Sequence, residues 1–172
     1  MIIRATNKLL NIARIESVKN ESIILSSLPG EWYASLLLTG SRGFYAIHFL
    51  HNPTMISVII LGKSLTKALQ ILPLRVTSFL DRNGYQELIT RFQLDTKFEV
   101  YSTNSRNILA NMNQMKFNLE YQLTMGESLD YNDIEIIEDM QLCNIIGGKI
   151  AEGKYIMPNE KLKKQLDDLS SR

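Results

Sequence analysis

Phe44-Tyr45-Ala46-Ile47-His48-Phe49-Leu50 is the stretch on which the fold turns. Read as a strand, it places Phe44, Ala46, His48 and Leu50 on one face and Tyr45, Ile47 and Phe49 on the other. The usual alternation of apolar and polar residues is missing. A strand apolar on both faces is covered on both faces, either by helices of its own chain or by a partner subunit. Two similar runs flank it, Trp32 to Leu38 and Met55 to Leu61, joined through Gly40-Ser41-Arg42-Gly43 and His51-Asn52-Pro53. Both junctions have turn chemistry, so the three runs predict an antiparallel meander.

Further strands are predicted at Met1 to Thr6 and at about Lys97 to Thr103. Between and after them the period changes to that of helices. Thr6 or Asn7 is placed to cap a short helix through about Ile15, a side-chain oxygen accepting from an orphan N–H of the first turn. Leu65, Leu69, Leu72, Val76 and Phe79 recur at steps of three and four, which predicts a helix from Leu65 to Asn83. Pro73 is expected to kink or split it near Leu72, and Asn83-Gly84 to stop it. A short helix is predicted over Tyr85 to Phe92, and a last one, capped by Asn159, over Glu160 to Leu169. The fold class is therefore α+β, an antiparallel or mixed sheet of about five strands with packed helices.

The 172 residues, 45% hydrophobic and 22% charged, suit an ordinary globular chain. Residues 1–125 read as the α+β core, and 126–172 as an acidic segment and C-terminal helix docked on it. The single cysteine, Cys143, gives no internal disulfide partner and suits the bacterial cytosol. Met1-Ile2-Ile3-Arg4 is charged too early for a signal peptide, and apolar stretches such as Ile56 to Leu61 are far shorter than a membrane span. The net charge of +1 hides a segregation: residues 1–116 carry 13 Lys/Arg against 7 Asp/Glu, whereas 117–148 carry seven acids and no base. Such a segment either lies over the basic face of its own domain or docks on a basic partner.

The chemistry concentrates in Ser102 to Tyr121. Ile108, Met112, Met115 and Leu119 form one stripe of a helix and predict its core face. Beside it run Asn107, Asn111, Gln114 and Asn118; opposite lie Arg106, Asn113 and Phe117. Asparagine inside a helix costs roughly 0.5 kcal/mol relative to alanine, because its amide competes for the backbone. An amide ladder can bond to backbone, to a partner or to nucleobase edges, and Arg106 at the helix start suits an anionic group. His48 and His51, spaced by three in a strand, point to opposite faces; His48 reads as a packed histidine or as a general base in a pocket.

Other motifs fail. Asp130-Tyr131-Asn132-Asp133-Ile134-Glu135 lacks an oxygen ligand at Ile134 and the turn glycine at Glu135, so it is not a calcium loop. Gly147-Gly148-Lys149-Ile150 lacks the hydroxyl and the first glycine of a phosphate loop. No metal site and no cofactor is expected. The basic residues form no run, so the electrostatic footprint for nucleic acid is weak.

Three motifs, in order, resemble a small bacterial domain family of unknown function. They are Met1-Ile2-Ile3-Arg4-Ala5-Thr6-Asn7-Lys8-Leu9-Leu10, Glu31-Trp32-Tyr33-Ala34-Ser35-Leu36-Leu37, and Thr103-Asn104-Ser105-Arg106-Asn107-Ile108-Leu109-Ala110-Asn111-Met112-Asn113. The resemblance spans about residues 1–123. It implies a stand-alone cytosolic protein or an appendage to a plasmid-encoded domain, carries no activity, and singles out Arg4, Thr6, Trp32, Asn104, Arg106 and Asn113. Ala5 and Ala110 stand where the family pattern has Cys and Gly, so neither position carries essential chemistry here. Should the first and last strands be neighbours, Thr6 and Asn104 would open onto the same end of the sheet.

The function these features favour is a non-catalytic protein-interaction module, one half of a toxin–antitoxin or phage-defence pair, binding a protein partner or its own copy. The candidate binding residues are Arg4, Thr6, Trp32, His48, Asn104, Arg106, Asn107, Asn111 and Asn113. The rival is a metal-independent RNA-acting enzyme or toxin using His48 and Arg106.

Overall fold

A computed structural model describes residues 1–16, 27–40, 42–95, 97–125, 130–145 and 157–170. Its elements, in chain order, are β1 (Ile2–Ala5), α1 (Asn7–Ala13), β2 (Glu31–Leu38), β3 (Tyr45–Asn52), β4 (Ser57–Leu61), α2 (Leu65–Arg82), a 3-10 helix (Gln86–Phe92), β5 (Glu99–Ser102), α3 (Arg106–Met125), α4 (Tyr131–Leu142) and α5 (Pro158–Ser170). The strands form one mixed sheet in the order β4-β3-β2-β1-β5. The β2-β3-β4 meander is antiparallel, and β1 lies parallel to both β2 and β5.

Both faces of the meander are covered by helices of this chain. On one face Ile3, Trp32, Leu36, Ile47, Phe49 and Val58 pack with buried residues of α1, α2, the 3-10 helix and α5. On the other, Tyr33 and Leu50 meet Ile108, Met112 and Met115 of α3, while Leu37, Ala46 and Ile59 meet Leu119 and Leu123 of α3 and Ile134 and Ile137 of α4. The predicted core stripe of α3 is thus its buried face. Burying a Leu, Ile or Met side chain contributes about 1.5–3 kcal/mol, so this layered packing is the main source of stability.

α4 closes the outer edge of the sheet. Asp130 and Asp133 form a capping box that starts it. Its Glu138, fully buried, accepts the Ile59 N–H of edge strand β4 at 2.7 Å and pairs with Arg75 at 2.9 Å and Arg82 at 2.7 Å on α2. Glu135 and Asp139 add pairs of 2.6 Å to Arg75 and 2.8 Å to Arg82. Three of the acids in the acidic segment are therefore spent inside the chain. Burial pushes the Glu138 carboxyl above its ordinary value, against the opposing pull of Arg75.

Several local expectations need correction. Of the kink or split expected at Pro73, the split does not occur: α2 is one helix, because Leu69, Leu72, Val76 and Phe79 are buried on both sides of the proline and hold the two halves together. Thr6 occupies the N-cap of α1, but its side chain makes no capping bond; its backbone N–H instead donates to Ala34 O, extending the sheet by one link. α1 also ends early, at Ala13, with Arg14 left-handed. Phe44 and Met55 lie outside the strands assigned to them, Met55 at φ 60° in the β3–β4 turn. Asn159 lies inside α5, whose first residue is Pro158, and its side-chain oxygen accepts from the Tyr85 hydroxyl. The proline accounts for the earlier start, since its missing N–H is one a first turn leaves unpaired anyway. The Gly147-Gly148 breaker lies outside the described residues.

Candidate functional site

The parallel pairing of β1 with β2 and β5 sets Arg4 beside Tyr33 and Tyr101 in register. Arg4 donates to the Glu31 carboxylate through Nε at 2.7 Å and Nη2 at 3.0 Å, a two-point pair with both side chains fully buried. The Tyr33 hydroxyl lies 3.4 Å from Glu31 Oε2 and donates to Asn104 Oδ1 at 2.8 Å. Burial and the neighbouring Glu31 charge push the Tyr33 hydroxyl well above its usual value, so it stays a donor. The fold thus joins two of the singled-out residues, Arg4 and Asn104, through two that sequence reading passed over. Glu31 carries no sequence signal of its own, because its partner is known only once the β1–β2 register is. β1 and β5 are neighbours, so Thr6 and Asn104 follow the same ends of adjacent parallel strands, while α1 and α3 leave onto opposite faces.

Trp32 lies on the other face, buried against His51 at a ring separation of 4.7 Å and Phe92 at 6.2 Å. His51 donates from Nε2 to Pro29 O at 2.9 Å, so its Nδ1 accepts from Thr54 Oγ1 at 2.7 Å. Gly30 makes this contact possible: a Cβ there would lie 2.1 Å from Asn52 O and 2.5 Å from the His51 ring, and its φ of +67° is left-handed. Burial holds the His51 pKa down at about 4.

His48 and His51 point to opposite faces, as their spacing predicts. His48 is wholly buried between β3 and α3, its Nε2 2.9 Å from Ser57 Oγ on β4. A serine and a histidine at that distance are the beginning of a nucleophile and base pair. Here three features oppose such use. Among the described residues Nδ1 has no partner to orient the ring, no substrate reaches the pair, and burial together with the nearby Lys116 charge lowers the pKa to about 3. A base that weak is mismatched to neutral chemistry.

The remaining candidates share the solvent face of α3. Arg106, Asn107 and Asn113 are exposed and Asn111 half-buried. Among the described residues the amides of Asn107, Asn111, Asn113, Gln114 and Asn118 make no hydrogen bond to the protein, and Arg106 makes no ion pair. Lower on the same face Phe117 is 76% exposed, Tyr121 61% and Met125 64%. Leu38 and Phe44 of the β2–β3 hairpin are exposed nearby, and Leu38, Gly40, Phe117, Glu120, Tyr121 and Thr124 line a shallow cleft of about 300 Å³. Glu120 ties the two parts together by accepting the Leu38 N–H at 2.8 Å. The apolar recurrence Phe117, Tyr121, Met125 at steps of four is the sequence signal that would have found this patch.

Among the described residues no cluster of His, Cys, Asp and Glu could hold a metal ion, and no helix is long and apolar enough to cross a membrane. Residues 2–161 match a family described as a domain of unknown function, beyond residue 123 and through α4 into α5. No curated protein and no solved structure matches the chain.

Proposed function

We propose that this chain, which belongs to the DUF6933 family of domains of unknown function, is a non-catalytic protein-interaction module whose partner-facing surface is the outer face of α3. The observation that carries this is the column of exposed Phe117, Tyr121 and Met125, continued by Leu38 and Phe44. Large apolar side chains gathered on one face mark an association site far more often than scattered ones do. Two features that favoured association in the bare sequence no longer bear on it. The doubly apolar sheet is covered by the chain's own helices, and Glu135, Glu138 and Asp139 are paired with Arg75 and Arg82. The amide ladder, lacking hydrogen bonds within the protein, still supports the reading.

An RNA-acting enzyme would need His48 and Arg106 at one surface. His48 lies beneath α3 and Arg106 on its exposed side, so the geometry favours this alternative less.

The test is the double variant Phe117→Glu/Tyr121→Glu of the full chain. Its circular dichroism and melting temperature are expected to match wild type, while self-association in light scattering, or capture of a protein partner by the wild type, is lost. Wild-type protein that neither self-associates nor captures a partner defeats the proposal.

A further inference from the structure

We infer that the occupant of the α3 face is a second copy of this chain, its α3 lying antiparallel across a two-fold axis near residues 115 and 116. This rests on the interaction reading above and names its partner. The argument is one of charge and shape. Every exposed residue of α3 is uncharged except Arg106, at the N-terminal end, while Lys116 and Glu120 are half-buried on the flank and 3.5 Å apart. A strongly acidic or basic partner, or a nucleic acid backbone, would find a single cation to bind. Asparagine and glutamine amides both donate and accept, so a face rich in them complements a copy of itself.

Orientation follows from the helix termini. α3 has no acid in its first turn and no base in its last. Its C-terminal carbonyl end therefore lacks a compensating cation on its own helix. Parallel pairing would set Arg106 against Arg106; antiparallel pairing sets it against the C-terminal end of the other copy, beside Met125 and within reach of the Tyr121 ring. At this register Ala110, the smallest residue of the exposed face, stands opposite Tyr121, the bulkiest near the far end. Gln114 lies on the same exposed face beside the axis, so its two copies approach and each amide can satisfy the other. At 20 residues the helix is about 30 Å long, enough for a continuous pairing surface.

The experiment is sedimentation equilibrium of the full chain carrying Cys143→Ser, from low to high micromolar concentration, with cysteine cross-linking. The expected result is a mass rising from 19.7 kDa toward twice that value, with Tyr121→Glu weakening association by about 30-fold. The pair Ala110→Cys/Tyr121→Cys should form a disulfide-linked dimer, and neither single variant should. A dimer indifferent to Tyr121→Glu overturns the inference, as does one cross-linked efficiently by Asn107→Cys alone. A monomer at every concentration whose α3 face captures a different protein overturns the homodimer but leaves the interaction reading standing. A monomer that binds single-stranded RNA through Tyr121 overturns both in favour of nucleic acid, and a monomer with neither property overturns both.

Discussion

At the scale of single residues the pair of Arg4 and Glu31 shows how one contact ties two neighbouring strands, β1 and β2, together. Taking both charges out of water is expensive, and the two-point geometry offsets that cost only while both partners are present. Glu31→Ala leaves the buried guanidinium without its carboxylate and is expected to lower unfolding stability by about 3–5 kcal/mol. Replacing both, as Arg4→Met with Glu31→Leu, should recover much of that loss. Urea unfolding of the two single variants and the double variant, read as a thermodynamic cycle, measures the coupling directly. A double variant as unstable as the worse single one would mean the pair is held for contacts other than each other. Asn104 belongs to this cluster through the Tyr33 hydroxyl, which makes its role at the start of α3 at least partly structural.

At the scale of elements α4 is the one whose role was least legible beforehand. Edge strand β4 would present unpaired N–H groups, and Glu138 satisfies one of them, at Ile59, while meeting two arginines of α2. Glu138→Ala removes all three contacts at once and leaves Arg75 almost wholly buried beside Glu135 alone. A loss of about 3–5 kcal/mol is expected, with Glu138→Gln milder because the amide oxygen still accepts the Ile59 N–H. Hydrogen exchange provides a sharper readout: the Ile59 amide should lose protection in the alanine variant and keep most of it in the glutamine one. Equal protection in both would count against the edge-closing role. α3 divides differently. Its buried stripe belongs to the core, and its outer face, amides above and aromatics below, is the part left for a partner.

At the scale of the whole molecule the sheet is a wall with a buried histidine on each side. Each has a pKa lowered by burial, to about 3 for His48 and about 4 for His51, against 6.5 in the unfolded chain. Between these values the unfolded state binds more protons at these two sites than the folded one. The histidines' contribution to stability is therefore full above pH 6.5 and declines as the pH falls toward 4, while the raised Glu138 carboxyl works the opposite way. At pH 5 the loss is roughly 2 kcal/mol per histidine. Urea midpoints measured from pH 7.5 to 4.5 should fall accordingly, and His51→Gln should flatten part of the slope. A slope left unchanged by His51→Gln would show that His51 is not held neutral.

Local periodicity was enough to place the strands and most helices, to send His48 and His51 to opposite faces and to find the core stripe of α3, because each of these depends on residues within a few positions of one another. What covers each apolar face was decided only in three dimensions. So were the Arg4 and Glu31 pair, the burial of Trp32 and His48 away from any surface, and the acids of α4 spent on α2. Their partners lie far apart in the chain, 27 residues between Arg4 and Glu31 and 79 between Ile59 and Glu138. A hydrophobic pattern states that a face is buried; only the packing of one element on another states what buries it.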